Sequence, residues 1–216
     1  MNIAVVALAW ANPFNETARE ALDEDAGWED VGTMERGAIT VQGRHKVIEG
    51  VDCLEASAVT THDVETMKGI VLDIRGNTDW SSAELTRSDV LKETATEIDY
   101  VQVLDVPVPL SDRYWFLHGE VEEGDDVWHF RWSHLEGADV YPEIYQEVAT
   151  GDLVEVDVNV GSWALLPTEG GTLARFRSCT NVGGSVPAWA GEKAARMMLP
   201  NNIEDLFREA EKRSSQ

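Results

Sequence analysis

The chain has 216 residues and a formal net charge of −23, from 40 acidic against 17 basic side chains. It is long enough for one domain with a substantial core or an enclosed cavity. That charge excludes attachment to a nucleic-acid backbone and simple polybasic attraction to anionic lipid surfaces. Lysine occurs only at positions 46, 68, 92, 193 and 212, while carboxylates are spread along the chain. This describes a solvated acidic surface that keeps a monomer in solution; adaptation to a salty environment fits it as well.

No stretch approaches the roughly 20 apolar residues of a membrane-spanning helix. Ile3 to Ala9 form a short apolar run, and Ala9-Trp10-Ala11 fits a small-x-small cleavage pattern. Residues 1–11 therefore read as a signal-like segment of an exported protein, although the run is short and no Lys or Arg precedes it. The alternative is an N-terminal helix packed on a cytoplasmic domain. Residues 12–216 are read as one domain.

An acidic helical segment spans Asn15 to Ala26. Alternating text then gives three strands, Trp28 to Met34, Ala38 to His45 and Val51 to Val59, with turns at Arg36-Gly37 and Glu49-Gly50. Thr60 with Asp63 three residues later resembles a capping box, and Val64, Met67, Ile70, Val71 and Ile74 form one apolar helical stripe. Beyond Trp80 the text is β-like until about Thr180. No linker, repeat or low-complexity tract interrupts it, so the fold class is α+β.

Two hairpins assign faces. A turn at Glu122-Glu123-Gly124-Asp125 sets His118 opposite His129 and Phe116 opposite Arg131. Arg113, Trp115, Leu117, Val121, Trp128, Phe130, Trp132 and His134 then share a heavily aromatic face that should point inward. A turn at Thr168-Glu169-Gly170-Gly171 sets Trp163 opposite Phe176 and Leu165 opposite Ala174, with Arg175 and Arg177 on the solvent side. From Gly184 the chain reads as one long amphipathic helix, with Ser185 able to cap it and Pro187 in its first turn. Trp189, Met197 and Met198 lie on its soft apolar face, and Pro200 is expected to kink it.

Signatures of catalysis are sparse. No GxxxxGK loop, GxSxG elbow or HExxH helix occurs. Cys53 and Cys179 are too few and too distant in sequence for a thiolate zinc site. His118 and His129 could hold a metal across two strands, but they fall on the outer face without a clear third ligand, so no metal and no cofactor is expected. Arg113, on the inward face, needs a partner because an unpaired buried charge is costly. Two compatible readings are an ion pair with Asp73 and a polar anchor in an apolar pocket.

Together these segments resemble a START domain, the lipid-transfer module of the helix-grip (SRPBCC) superfamily, over about Gly27 to Arg213. The residues carrying the resemblance are Gly27-Trp28, Gly37-Ala38-Ile39-Thr40-Val41, Val71-Leu72-Asp73 followed by Trp80, Pro109-Leu110-Ser111-Asp112-Arg113, and Gly183-Gly184-Ser185-Val186-Pro187-Ala188-Trp189. Tyr114 departs from the family's usual second acid after Ser-Asp-Arg, which puts the local ion-pair network in doubt. The resemblance implies a curved antiparallel sheet gripping the C-terminal helix, with one hydrophobic molecule such as a lipid bound between them. Trp115, Leu117, Trp128, Phe130, Trp132, Trp163, Leu165 and Phe176 would line the sheet side, with Arg113 as a polar tip. Trp189, Met197 and Met198 would form the lid, and the lid could make transient membrane contact.

Lipid binding without catalysis is the expected task. The alternatives are a cyclase- or aromatase-like enzyme on the same scaffold and a protein-interaction domain with a filled interior. In the family's sheet order, the third and last strands are antiparallel neighbours. That order would bring Cys53 and Cys179 together on an outward face, within reach of a disulfide. The alternative is two unrelated thiols in a cytosolic protein.

Overall fold

The computed structural model describes residues 13–215 apart from 157, 182 and 184–187; the side chains of 188–198 also fall outside the description. The expected signal-like segment 1–11 and the lid side chains Trp189, Met197 and Met198 therefore lie outside the described residues.

The chain opens with helix α1 (Pro13–Asp23) and a meander of β1 (Glu29–Arg36), β2 (Ile39–Ile48) and β3 (Val51–Thr60). Glu49 at φ 46° and Gly50 at φ 85° make the two-residue turn from β2 to β3, the left-handed pair such a hairpin requires. Helix α2 (Val64–Val71) follows. Its cap is Asp63, whose carboxylate accepts from the Thr66 amide at 2.8 Å. The expected Thr60–Asp63 box is thus displaced by three residues: Thr60 is the last residue of β3, so Asp63 is the first side chain able to cap.

After the short α3 (Asn77–Trp80) come β4 (Leu85–Glu93), β5 (Glu97–Leu104), β6 (Arg113–Glu123) and β7 (Trp128–His134). Two short helices, α4 (Gly137–Val140) and α5 (Pro142–Val148), interrupt text that reads as β throughout. The chain then forms β8 (Val154–Glu155), β9 (Val158–Thr168), β10 (Gly171–Asn181) and the long α6 (Ala188–Ser214), which contains Pro200. Nine strands are ordered β1-β2-β3-β10-β9-β7-β6-β5-β4 with antiparallel neighbours, and β8 pairs with β6 in parallel. The fold is α+β.

One face of the sheet packs against α2 and the second half of α6. Met67, Ile70 and Val71 of α2 and Leu199, Ile203, Leu206, Phe207 and Ala210 of α6 share a core with inward residues of β2, β3, β5, β6, β7, β9 and β10. The other face is layered too. Ala18 and Leu22 of α1 cover Cys53, Val160 and Cys179, and Val148 of α5 joins Tyr114, Phe116 and Leu135 in a third cluster.

That second layer corrects the expectation that Arg175 and Arg177 face solvent. Alternation places them on the outer face correctly, but α1 and the chain following it cover that face. Arg177 is buried, donating to Glu55 Oε2 at 2.7 Å, to Asp25 Oδ1 at 2.5 Å and to the Leu22 carbonyl. Arg44 donates to both oxygens of the same Glu55, at 2.6 and 2.5 Å. The Trp28 ring lies 5.1 Å from the Arg177 guanidinium, a favourable cation–π distance.

Cys53 and Cys179 are directly opposite in the β3–β10 ladder and form a disulfide with a Cα–Cα separation of 4.2 Å. Both are fully buried beneath α1.

Candidate functional site

The concave face is built by period-2 alternation on β5, β6, β7, β9 and β10. In the β9–β10 hairpin Trp163 faces Phe176 and Leu165 faces Ala174, as the sequence predicts. In the β6–β7 hairpin the register differs: His118 pairs with Ser133, and His129 with Glu122. The loop closes at Gly124–Val127, where the Gly124 amide donates to the Val127 carbonyl, later than the acidic turn suggests. The change is an even number of residues, so every side chain keeps its face.

Leu117, Trp128, Phe130, Trp132, Trp163 and Leu165 are buried on this face, and Trp115 and Phe176 are half-buried against them. The rings run on from one another: Phe130 to Trp132 at 6.2 Å, Trp132 to Phe176 at 5.6 Å, and Phe176 edge-on to Trp163 at 4.9 Å. Glycines make room for them. A Cβ on Gly119 would lie 2.4 Å from the Phe130 ring, and one on Gly161 would lie 2.3 Å from the Trp132 ring and 2.5 Å from the Arg177 carbonyl. Gly161→Ala is accordingly expected to cost about 1–3 kcal/mol through overpacking, read as a lower urea midpoint; an unchanged midpoint would show that the Trp132 ring and the β10 backbone at Arg177 both give way freely.

Polar atoms on this face are few and mostly paired. Trp115 Nε1 donates to Gln102 Oε1 at 3.0 Å, and the Gln102 amide donates to Asn77 Oδ1 and Ser88 Oγ, both at 2.9 Å. Trp132 Nε1 donates to Asn159 Oδ1 at 3.0 Å. Sequence reading missed Gln102, Ser88, Asn77 and Asn159, because isolated polar residues in β-like text carry no signal of the face they share. Tyr100 is buried here, and burial pushes its hydroxyl pKa upward. Trp128 Nε1 is buried without a partner.

The expected Arg113–Asp73 pair does not form. Asp73 Oδ2 accepts from Arg213 in the last turns of α6 at 2.5 Å. Arg113, buried at the start of β6, donates to the Ser111 carbonyl and to the Gly183 carbonyl at 3.5 Å. It thus ties the β5–β6 connection to the segment leading into α6. The physical reason is position: the end of α2 lies beside the end of α6, which brings Arg213 rather than Arg113 to Asp73.

The His118–His129 pair is also undone by the register. His118 Nδ1 instead meets Asp99 Oδ1 at 2.5 Å, and Tyr141 donates to Asp99 Oδ2 at 2.5 Å. Asp99 and His118 lie on the convex face, opposite the aromatic surface. Among the described residues no group of three or more His, Cys, Asp or Glu is placed to hold a metal.

Asp99 and Asp25 are among five carboxylates, with Asp63, Glu97 and Glu209, whose pKa values lie below their ordinary range. Burial alone would raise Asp99, but hydrogen bonds from His118 and Tyr141 outweigh it; Asp25 is lowered chiefly by its hydrogen bond from Arg177. A depressed folded pKa gives stability that is complete above the unfolded carboxylate value of about 3.9 and is lost as pH falls through it towards the folded value. Urea midpoints should therefore decline below about pH 4, and Asp99→Asn should make that decline shallower. Parallel acid profiles for Asp99→Asn and the native chain would contradict the assignment.

No family model matches the chain. An uncharacterized protein of Pseudomonas aeruginosa is 28% identical over 177 residues, covering 81% of this chain and 80% of that protein. The structure of a STAR-related lipid transfer protein fragment from Xanthomonas axonopodis superposes with a TM-score of 0.72 at 18% identity, over 86% of this chain and 99% of that one. The fold is that of START domains. The Zhui aromatase/cyclase from Streptomyces shares the START-like architecture more distantly, with a TM-score of 0.52 at 14% identity over 75% of this chain and 94% of that one.

Proposed function

We infer that this START-fold chain binds one hydrophobic molecule, of lipid type, between the concave sheet and the first half of α6. The observation that carries the reading is the continuous aromatic surface on β7, β9 and β10, with Trp115 and Phe176 only half-buried on it. Such a surface, with a few fixed polar groups at its margin, is the make-up of a small-molecule site. Gln102 holds the Trp115 indole at 3.0 Å, so the ring is positioned before any ligand arrives.

Binding rather than conversion is supported by where the acid–base chemistry lies. The buried His118–Asp99 pair, a couple suited to proton transfer, is on the opposite face of the sheet. Access at a membrane is supported by the β5–β6 connection, where Val108 is 92% exposed and Leu110 40%. Through Arg113 this apolar tip is linked to Gly183 at the approach to α6, so contact with a bilayer there would act on the helix that closes the site. The disulfide supports an oxidising compartment, where such bonds persist.

The test is a titration with a homologous series of fluorescent fatty acids. Each added CH₂ should tighten binding about fourfold, from about 0.8 kcal/mol per buried methylene, until the site is full. Affinities that do not depend on chain length would reject the reading.

A further inference from the structure

On the convex face, away from the aromatic surface, a depression of about 280 Å³ crosses the three central strands. Its floor is Ser162 and Ala164 on β9. Ladder pairing sets His129 of β7 and Arg175 of β10 on either side of Ala164, and Arg131 and Arg177 on either side of Ser162. The flanking strands are two strand spacings apart, about 9–10 Å, and short floor residues leave the space between the long cationic side chains open. Three arginines from a chain with only 17 basic side chains thus converge on one hollow.

Two of them are neutralised by the protein. Arg131 pairs with Asp23 at 3.3 Å and with Glu122, and Arg177 holds Glu55 and Asp25 at 2.7 and 2.5 Å. Arg175 is not. Its nearest carboxylate oxygens, on Asp25 and Glu55, are 3.7 and 3.9 Å away, beyond hydrogen-bonding distance, and both are already held by Arg177. Arg175 Nε and His129 Nδ1 are buried without hydrogen-bond partners. Burial, and then the adjacent Arg177, push the Arg175 pKa down, whereas the hydrogen bond to Glu55 leads in raising that of Arg44. Flanking Ala164, the Arg175 Nε–H and, in its Nδ1–H tautomer, His129 are donors that call for an acceptor carrying several oxygens and negative charge.

We propose that this convex hollow is a binding site for a soluble phosphate-type oxyanion, held by Arg175, His129 and the Ser162 hydroxyl. The tetrahedral oxygens of a phosphate can be reached from both flanks and from the floor at once. A net charge of −23 repels an extended anionic bilayer far more than a single small phosphate ion, which favours a free ligand over a lipid headgroup. The site is on the opposite side of the sheet from the proposed lipid surface, and its test does not depend on lipid binding.

Isothermal titration of the native chain with inorganic phosphate and with glycerol 3-phosphate should show saturable one-site binding. Arg175→Gln should weaken it by roughly tenfold or more, the effect of losing a charged hydrogen bond. Ser162→Leu, which fills the floor and leaves every charge in place, should weaken it similarly. Lys92→Gln, on the edge strand β4, should leave it unchanged. The proposal is overturned by absence of saturable binding, by equal affinity in the native chain and Ser162→Leu, or by binding to phosphatidic-acid vesicles without binding to free phosphate.

Discussion

The double variant Cys53→Ala/Cys179→Ala is expected to lose about 3–5 kcal/mol of stability. The disulfide joins residues 126 apart in sequence, so in the chain-entropy account it removes a very large closed loop from the unfolded ensemble, and stabilisation grows with loop size. Both sulfurs are fully buried under Ala18 and Leu22 of α1, so their loss also loosens the helix above. The comparison is urea unfolding of the oxidised native chain against the double variant. A difference under about 1 kcal/mol would mean that β3 and β10 are held almost wholly by their ladder and packing.

Glu55→Ala should be nearly as damaging, at about 3–5 kcal/mol. Glu55 is 1% exposed and receives charged hydrogen bonds from Arg44 and Arg177. Arg177 is itself buried, and without Glu55 its remaining carboxylate is Asp25, which is largely exposed. Breaking a buried pair by removing one member strands the other, and that dominates the cost. Glu55→Gln separates charge from packing: it keeps the side chain's volume, so a loss close to that of Glu55→Ala assigns the effect to charge. Unchanged unfolding of Glu55→Ala would show that water replaces the carboxylate.

The sequence made the concave face legible because alternation needs only the parity of a strand. The β6–β7 register is wrong by an even step, yet Trp115, Leu117, Phe130 and Trp132 still fall on one side. The β9–β10 register is right because Glu169-Gly170 is a compact turn between paired Thr168 and Gly171. What covers a face was not legible. Arg175 and Arg177 were placed on the outer side correctly, but nothing local shows that α1, more than a hundred residues earlier, folds over them. Asp73 likewise takes its partner from the far end of α6. The short α4 and α5 carry too few turns to show helical periodicity. The disulfide could be foreseen only through the family's strand order; alternation by itself gave the face of each cysteine and not its neighbour.

The central claim is that one hydrophobic molecule occupies the space between the aromatic concave face and α6. Native mass spectrometry of the purified chain, with the same sample remeasured after organic extraction, tests it most directly. The account predicts a single additional mass in the range of one lipid, released by extraction and restored at one equivalent when the extract is added back. A chain that carries no adduct as purified and takes up none at saturating lipid would contradict it.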